Sequence, residues 1–121
     1  MISEGSTSKI TGTIIDGSTS TGISSDTLLT CTFTLYDYVT GTIINSRNAV
    51  NVLNANGATI SNTPGSYGAF SIPLLELDNV ILDTTRQSEV HVALLRFTAP
   101  GVKGSCEVTF TVRNVKKIIL P

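Results

Sequence analysis

At 121 residues with a formal net charge of −1, the chain is one domain, large enough for its own core and without the basic footprint of a nucleic-acid binder. Only 14% of its residues are charged, against about a quarter in an average protein, and Ser and Thr take over much of the polar role. Such a surface has few ions to desolvate and little self-repulsion, which points toward packing against other protein.

No apolar run reaches membrane-spanning length, and Met1-Ile2-Ser3-Glu4-Gly5 has no signal-peptide pattern. The expectation is a chain made in the cytoplasm, not exported by the general route, with no membrane partner.

Residues 1–8 are small and polar and read as an N-terminal arm or frayed end. Residues 9–16 predict a first strand, and the Gly/Ser/Thr stretch 17–26 a loop. Residues 28–38 predict the clearest strand. Leu29, Cys31, Phe33 and Leu35 alternate there with Thr30, Thr32, Thr34 and Tyr36, a period of two that gives one buried and one wet face. Thr40-Gly41 marks a turn into a third strand over 42–45, and 49–53 reads as a fourth.

Asn56-Gly57 is a turn signal, because both residues tolerate positive φ. A short run over 58–61 follows, then a loop over 62–66. Residues 68–74 predict a strand with Phe70 and Ile72 on one face, ending by Pro73. Residues 75–83 read as a connection crossing one end of the fold. Residues 89–98 are apolar on both parities, with His91, Ala93, Leu95 and Phe97 on one and Val90, Val92 and Leu94 on the other, as in a strand covered on both faces.

A hairpin loop over 99–104 leads to the last strand, 105–115. There Cys106, Val108, Phe110 and Val112 alternate with Glu107, Thr109, Thr111 and Arg113, which predicts a second buried face. About seven short strands with turns between them predict an all-β, immunoglobulin-like antiparallel β-sandwich over residues 9–117.

The remainder, 118–121, is an apolar tail after Lys116-Lys117. Its Ile118, Ile119 and Leu120 would each gain about 1.5–3 kcal/mol if buried, either as the end of the last strand or as a peptide docked on a neighbour.

Chemistry is sparse. The single histidine, His91, lies in the most apolar strand with Glu89 on the same face and Arg96 on the other, and reads as a structural histidine bonded to a loop. One histidine and two cysteines on different strands make no zinc set. Cys31 and Cys106 both fall on expected core faces, as two buried thiols or as one disulfide if their Cα atoms lie within about 7 Å.

Asp78, Asn79 and Asp83 carry calcium-type oxygens, but their spacing matches no calcium loop. Asp37, just before Thr40-Gly41, reads as a turn-stabilising acceptor. The Lys116-Lys117 pair reads as a solvated strand edge. The expectation is a protein without catalytic residues, metal or cofactor, and not an enzyme.

Four segments together carry a resemblance. They are Leu35-Tyr36-Asp37-Tyr38-Val39-Thr40-Gly41-Thr42-Ile43-Ile44-Asn45-Ser46-Arg47, then Val52-Leu53-Asn54-Ala55-Asn56-Gly57, then Arg86-Gln87-Ser88-Glu89-Val90-His91-Val92-Ala93-Leu94, and last Glu107-Val108-Thr109-Phe110-Thr111-Val112-Arg113-Asn114-Val115. In that order they resemble a family of small immunoglobulin-like virion proteins of tailed bacteriophages. The resemblance spans residues 9–117 and consists of structural signatures with no catalytic motif.

It implies a virion component, assembled in the bacterial cytoplasm, that binds the major capsid protein or other virion proteins. A capsid decoration or cement protein is one such role, and a neck, tail or fibre-attachment protein is another. A host-surface binding module, using loops 17–26 and 62–67, is a third reading, and the lack of Trp argues against glycan as its target. As one of many copies in a lattice the chain would be a homo-oligomer, a threefold trimer being one arrangement. The expected interface is Val90, Val92 and Leu94 together with Ile118, Ile119 and Leu120.

Overall fold

A computed structural model describes residues 2–115 of the chain. Ten strands follow in order: β1 (Ile2–Ser3), β2 (Ser8–Thr13), β3 (Ile15–Asp16), β4 (Thr21–Gly22), β5 (Thr30–Asp37), β6 (Val50–Asn51), β7 (Thr59–Ile60), β8 (Ala69–Leu74), β9 (Ser88–Ala99) and β10 (Val102–Arg113). A single 3-10 turn, Glu76–Asp78, stands between β8 and β9.

The described chain is all-β. Its main sheet has the order β1-β10-β9-β5-β6, a second has the order β2-β8-β7, and β3 and β4 form a separate hairpin. All pairings are antiparallel except β1 with β10.

The long strands form where the period-two pattern is longest. β5 alternates so that Cys31, Phe33 and Leu35 are fully buried. β9 sits between β5 and β10, so both its edges are paired; its core face is buried throughout, but on the outer face only Val92 is buried and Val90 is exposed, short of the cover on both faces that its double apolar parity predicts. Phe33, Leu35, Leu95 and Phe97 from the main sheet join Ile10, Phe70, Ile72 and Leu74 from the second sheet in one core cluster. Each such side chain contributes about 1.5–3 kcal/mol by leaving water.

Several elements differ from the sequence reading. Residues 2–3 are neither frayed nor a free arm, because β1 pairs with β10 through Ile2↔Val112 and Ser3↔Arg113. The first strand breaks at Ile14, and the loop expected over 17–26 holds β4, which returns on β3 as a tight hairpin.

Leu29 points out and Leu28 is buried instead. The turn in which Thr27 and Leu28 N–H donate to the Ser24 carbonyl delivers the chain to β5 one residue late. The third strand reduces to a single bridge, Tyr36↔Ile43. Asn45, Ser46 and Ala49 all have positive φ there, so the chain turns too sharply for a ladder. The strand expected over 68–74 is met by β8, which passes through Pro73 because its pairing with β7 has already ended at Ser71 and Pro73 has no N–H to satisfy on that side.

The alternation over 105–115 does not yield a buried face. Of the four residues on its inner parity only Val112 is buried, and Val108 is 36% exposed. Cys106 and Phe110 pack against the core cluster but stay partly buried, so the inner face of β10 is half covered.

Candidate functional site

The polar side chains buried in the described residues gather in two clusters at the ends of strands. The first begins with Glu89 and His91, two residues apart in β9 and so on one face of it, the face toward the core. The β5–β9 register sets Asp37 directly opposite His91. All three are buried.

Glu89 Oε1 accepts the Leu82 N–H and Oε2 the Asp83 N–H, both at 2.8 Å. His91 Nε2 lies within hydrogen-bond distance of Glu89 Oε1, at 3.1 Å. The ring packs edge-on against Phe110, centroids 5.8 Å apart. Asp37 Oδ2 accepts from Thr40 N–H at 2.9 Å and from Thr40 Oγ1 at 2.8 Å, which closes the 37–41 turn. Arg86 reaches over all of this, with Nη1 3.8 Å from Glu89 and 3.9 Å from Asp37.

Asp37, Glu89 and His91 offer metal-ligand atoms within 4.8 Å of one another. Glu89, however, spends both oxygens on the backbone of the 82–83 loop, and Arg86 supplies the counter-charge for both carboxylates. Asp37 Oδ1 and His91 Nδ1 have no hydrogen-bond partner among the described residues. The set acts as an anchor that ties the 82–86 loop and the 37–41 turn to the end of the main sheet. His91 therefore reaches the loop through Glu89 and not by a bond of its own.

The second cluster is centred on Asp78, at the end of the 3-10 turn. Arg47 grips it with two parallel bonds, Nε to Oδ1 at 2.9 Å and Nη2 to Oδ2 at 2.8 Å. Asn45 Nδ2 and the Leu75 N–H complete its shell. Burial pushes the Asp78 carboxyl up, but the bonds from Arg47, Asn45 and Leu75 and the Arg47 charge together hold it below the usual carboxylate value. Arg47 also lies over the Phe33 ring, 5.8 Å from its centroid.

Asp78, Asn79 and Asp83, weighed for calcium from the sequence, are spent separately. Asn79 Nδ2 donates to the Ser6 carbonyl and Ser8 Oγ, and Asp83 Oδ1 accepts from Thr85. The hydrogen bond from the Thr85 hydroxyl, with the Thr85 N–H, holds the exposed Asp83 carboxyl low.

The pairing of Arg47 with Asp78 was missed in the sequence. They are 31 residues apart, and no local pattern links them. Arg86 had a signal that went unread, since Asp83, Arg86 and Glu89 stand three apart.

The expected interface divides. Val90 is 37% exposed and Leu94 half-buried, both on the outer face of the main sheet. Val92 is corrected: it is 1% exposed, shut in on that face where the register sets Tyr36 and Thr109 beside it, and it is closed to a partner. Ile118, Ile119 and Leu120 lie outside the described residues.

Around Val90 the outer face carries Tyr38, whose N–H donates to the Val90 carbonyl, and Ile43, bridged to Tyr36, with Val39 in the adjoining turn, all exposed. Both cysteines are free, Cys31 buried and Cys106 half-buried. No helix among the described residues is long and apolar enough to cross a membrane. Compared with protein-family models, with curated proteins and with solved structures, the chain matches none of them.

Proposed function

We propose that this chain is a non-enzymatic structural protein of a tailed-phage virion, built as an immunoglobulin-like sandwich. Its role is capsid decoration: it binds the major capsid protein and stabilises the head. The observation that carries this reading is the exposed apolar group on the outer face of the main sheet, Tyr38, Ile43 and Val90, with Val39 in the adjoining turn, on a chain with only 14% charged residues. Such a patch covers well when another protein lies flat on the sheet.

Two further points support it. Side chains from both sheets meet in one core, as a sandwich requires. The acid, base and cation that could do chemistry, Glu89, His91 and Arg86, are engaged in holding a loop, and His91 is fully buried.

The test is the copy number of this chain per purified phage particle, measured by quantitative mass spectrometry against the major capsid protein. A ratio near one to one is expected. A few copies per particle would move the chain to the neck, tail or fibres. Absence from particles would discard the virion role, and binding of the isolated chain to host cells would then assign it to surface recognition.

A further inference from the structure

Among the described residues, β10 has one side fully paired and one side open along most of its length. Its register with β9 runs unbroken from Val102↔Ala99 to Arg113↔Ser88, without a bulge. On the other side β1 is its partner, and that pairing covers only Val112 and Arg113. In an antiparallel strand alternate residues bond to opposite sides. The Asn114 N–H donates to the Gln87 carbonyl, across β9, and the Arg113 carbonyl accepts from the Glu4 N–H, away from it. Even-numbered residues of β10 thus face β9. The N–H and C=O groups of Lys103, Ser105, Glu107 and Thr109 point outward along an edge that no other described strand pairs.

Natural sheets usually blunt such an edge with a proline, a bulge or an inward charge. The 102–111 stretch has none of these. Its inner parity is Val102, Gly104, Cys106, Val108 and Phe110, and Val108 is more than a third exposed. A cleft of about 260 Å³ opens beneath it toward Ile14 and Ile15.

We infer that this edge is a self-association surface, on which a second copy of the chain adds its own β10 antiparallel, in a register centred on Ser105. The charges select the centre. Lys103 and Glu107 are the charged residues of the free stretch, both outward-facing and four apart. A twofold pairing centred on Ser105 sets each Lys103 directly across from the other copy's Glu107, twice. Centring on Glu107 sets like charges opposite, and centring on Cys106 pairs Lys103 with Thr109. The other opposite-charge choice, Glu107 on Arg113, is closed by β1.

In the chosen register the inner side also fits. Half-exposed Val108 lies across from Val102 of the second copy. Cys106 lies across from Gly104, where the Phe97 ring occupies the place of a side chain, so Cys106 meets that ring and no side chain of Gly104. The outward N–H and C=O groups meet their counterparts, and the two main sheets become one continuous sheet. This interface is separate from the Val90 face and requires nothing of the virion assignment.

The test is sedimentation equilibrium of the purified chain over a range of concentrations. The wild type is expected to show a monomer–dimer equilibrium that weakens with salt. Lys103→Glu alone places Glu against Glu, and Glu107→Lys alone places Lys against Lys. Each weakens the dimer about tenfold, because two favourable cross-strand pairs become two unfavourable ones. An equimolar mixture of the two variants restores it, since the mixed pair again has Glu facing Lys at both positions. That recovery also shows that both variants are folded. A wild type that stays monomeric at every concentration, single variants that dimerise like the wild type, or a mixture that does not recover would each overturn the inference.

Discussion

β9 and β10 are the same length, lie side by side and bond to each other throughout, yet one is interior and the other is surface. In β9, buried positions fall on both parities, and in β10 Val112 is the one buried position. The difference comes from what lies beyond each strand. β9 has β5 on its far side and the second sheet beneath it. β10, among the described residues, has an edge that β1 covers only at its end, and its inner side chains Val102, Cys106 and Phe110 are only partly buried against the core. Hydrophobic alternation sets which face a side chain takes, and the strand's place in the sheet order sets whether that face is covered.

The widest separation between the two strands is expected in truncations. Leu95 in β9 and Val108 in β10 share the inner face. Leu95→Ala is expected to cost about 2–5 kcal/mol, as for a buried large-to-small change. Val108→Ala is expected to cost under about 1 kcal/mol. Urea unfolding of both variants measures this, and equal losses would break the comparison.

Gly104 sharpens it, because there the edge strand does meet the core. A Cβ at Gly104 would stand 2.5 Å from Phe97 Cζ. Gly104→Ala is therefore expected to lose about 1–3 kcal/mol by displacing a packed ring, although the residue lies on the exposed strand. A neutral Gly104→Ala would mean that the Phe97 ring is free to move.

Interior and surface also part in acid. Asp78 is buried, and its carboxyl is held below its ordinary value by Arg47, Asn45 and Leu75 against the opposing pull of burial. A group whose folded value is depressed adds stability that is complete above its unfolded pKa, about 4, and that is lost as pH falls through the lower folded value. The unfolding midpoint is expected to fall as pH drops below about 4. In Asp78→Asn that acid dependence flattens, on a lower stability throughout, because Arg47 loses its partner. A wild type with no loss between neutral and acid pH would show that the grip on Asp78 adds nothing.

What the sequence disclosed follows the same division. β5, β8 and β10 were legible because their side chains alternate with a period of two, β9 because it is apolar on both parities, and Asp37 because its acceptor role lies within four residues. Glu89 and His91 were placed together because i and i+2 share a face. The bond between Arg47 and Asp78 joins segments 31 residues apart, so no local pattern could show it. β1 and the β3–β4 hairpin are too short for a periodic signal. Val92 and Val108 were misjudged for one shared reason. Parity was read correctly for both, but cover depends on neighbours that alternation does not name.

The two thiols give the smallest and most direct probe of the contrast. Cys31 lies in β5, fully buried, and burial, with Cys106 adding to it, pushes its pKa up to about 11. Burial raises Cys106 as well, but its side chain lines the cleft under the β10 edge. Thiolate is the reactive form, so at mildly alkaline pH both label slowly, and access decides the order. Cys106 is expected to react in the native protein and Cys31 only after unfolding in urea, as read by mass spectrometry of alkylated peptides. Cys31 reacting first would mean that the β5 side opens before the β10 edge, and the contrast would be reversed. The same experiment bears on self-association. In the Ser105-centred register Cys106 faces Gly104 of the second copy, so its labelling should slow as protein concentration rises while that of Cys31 stays unchanged.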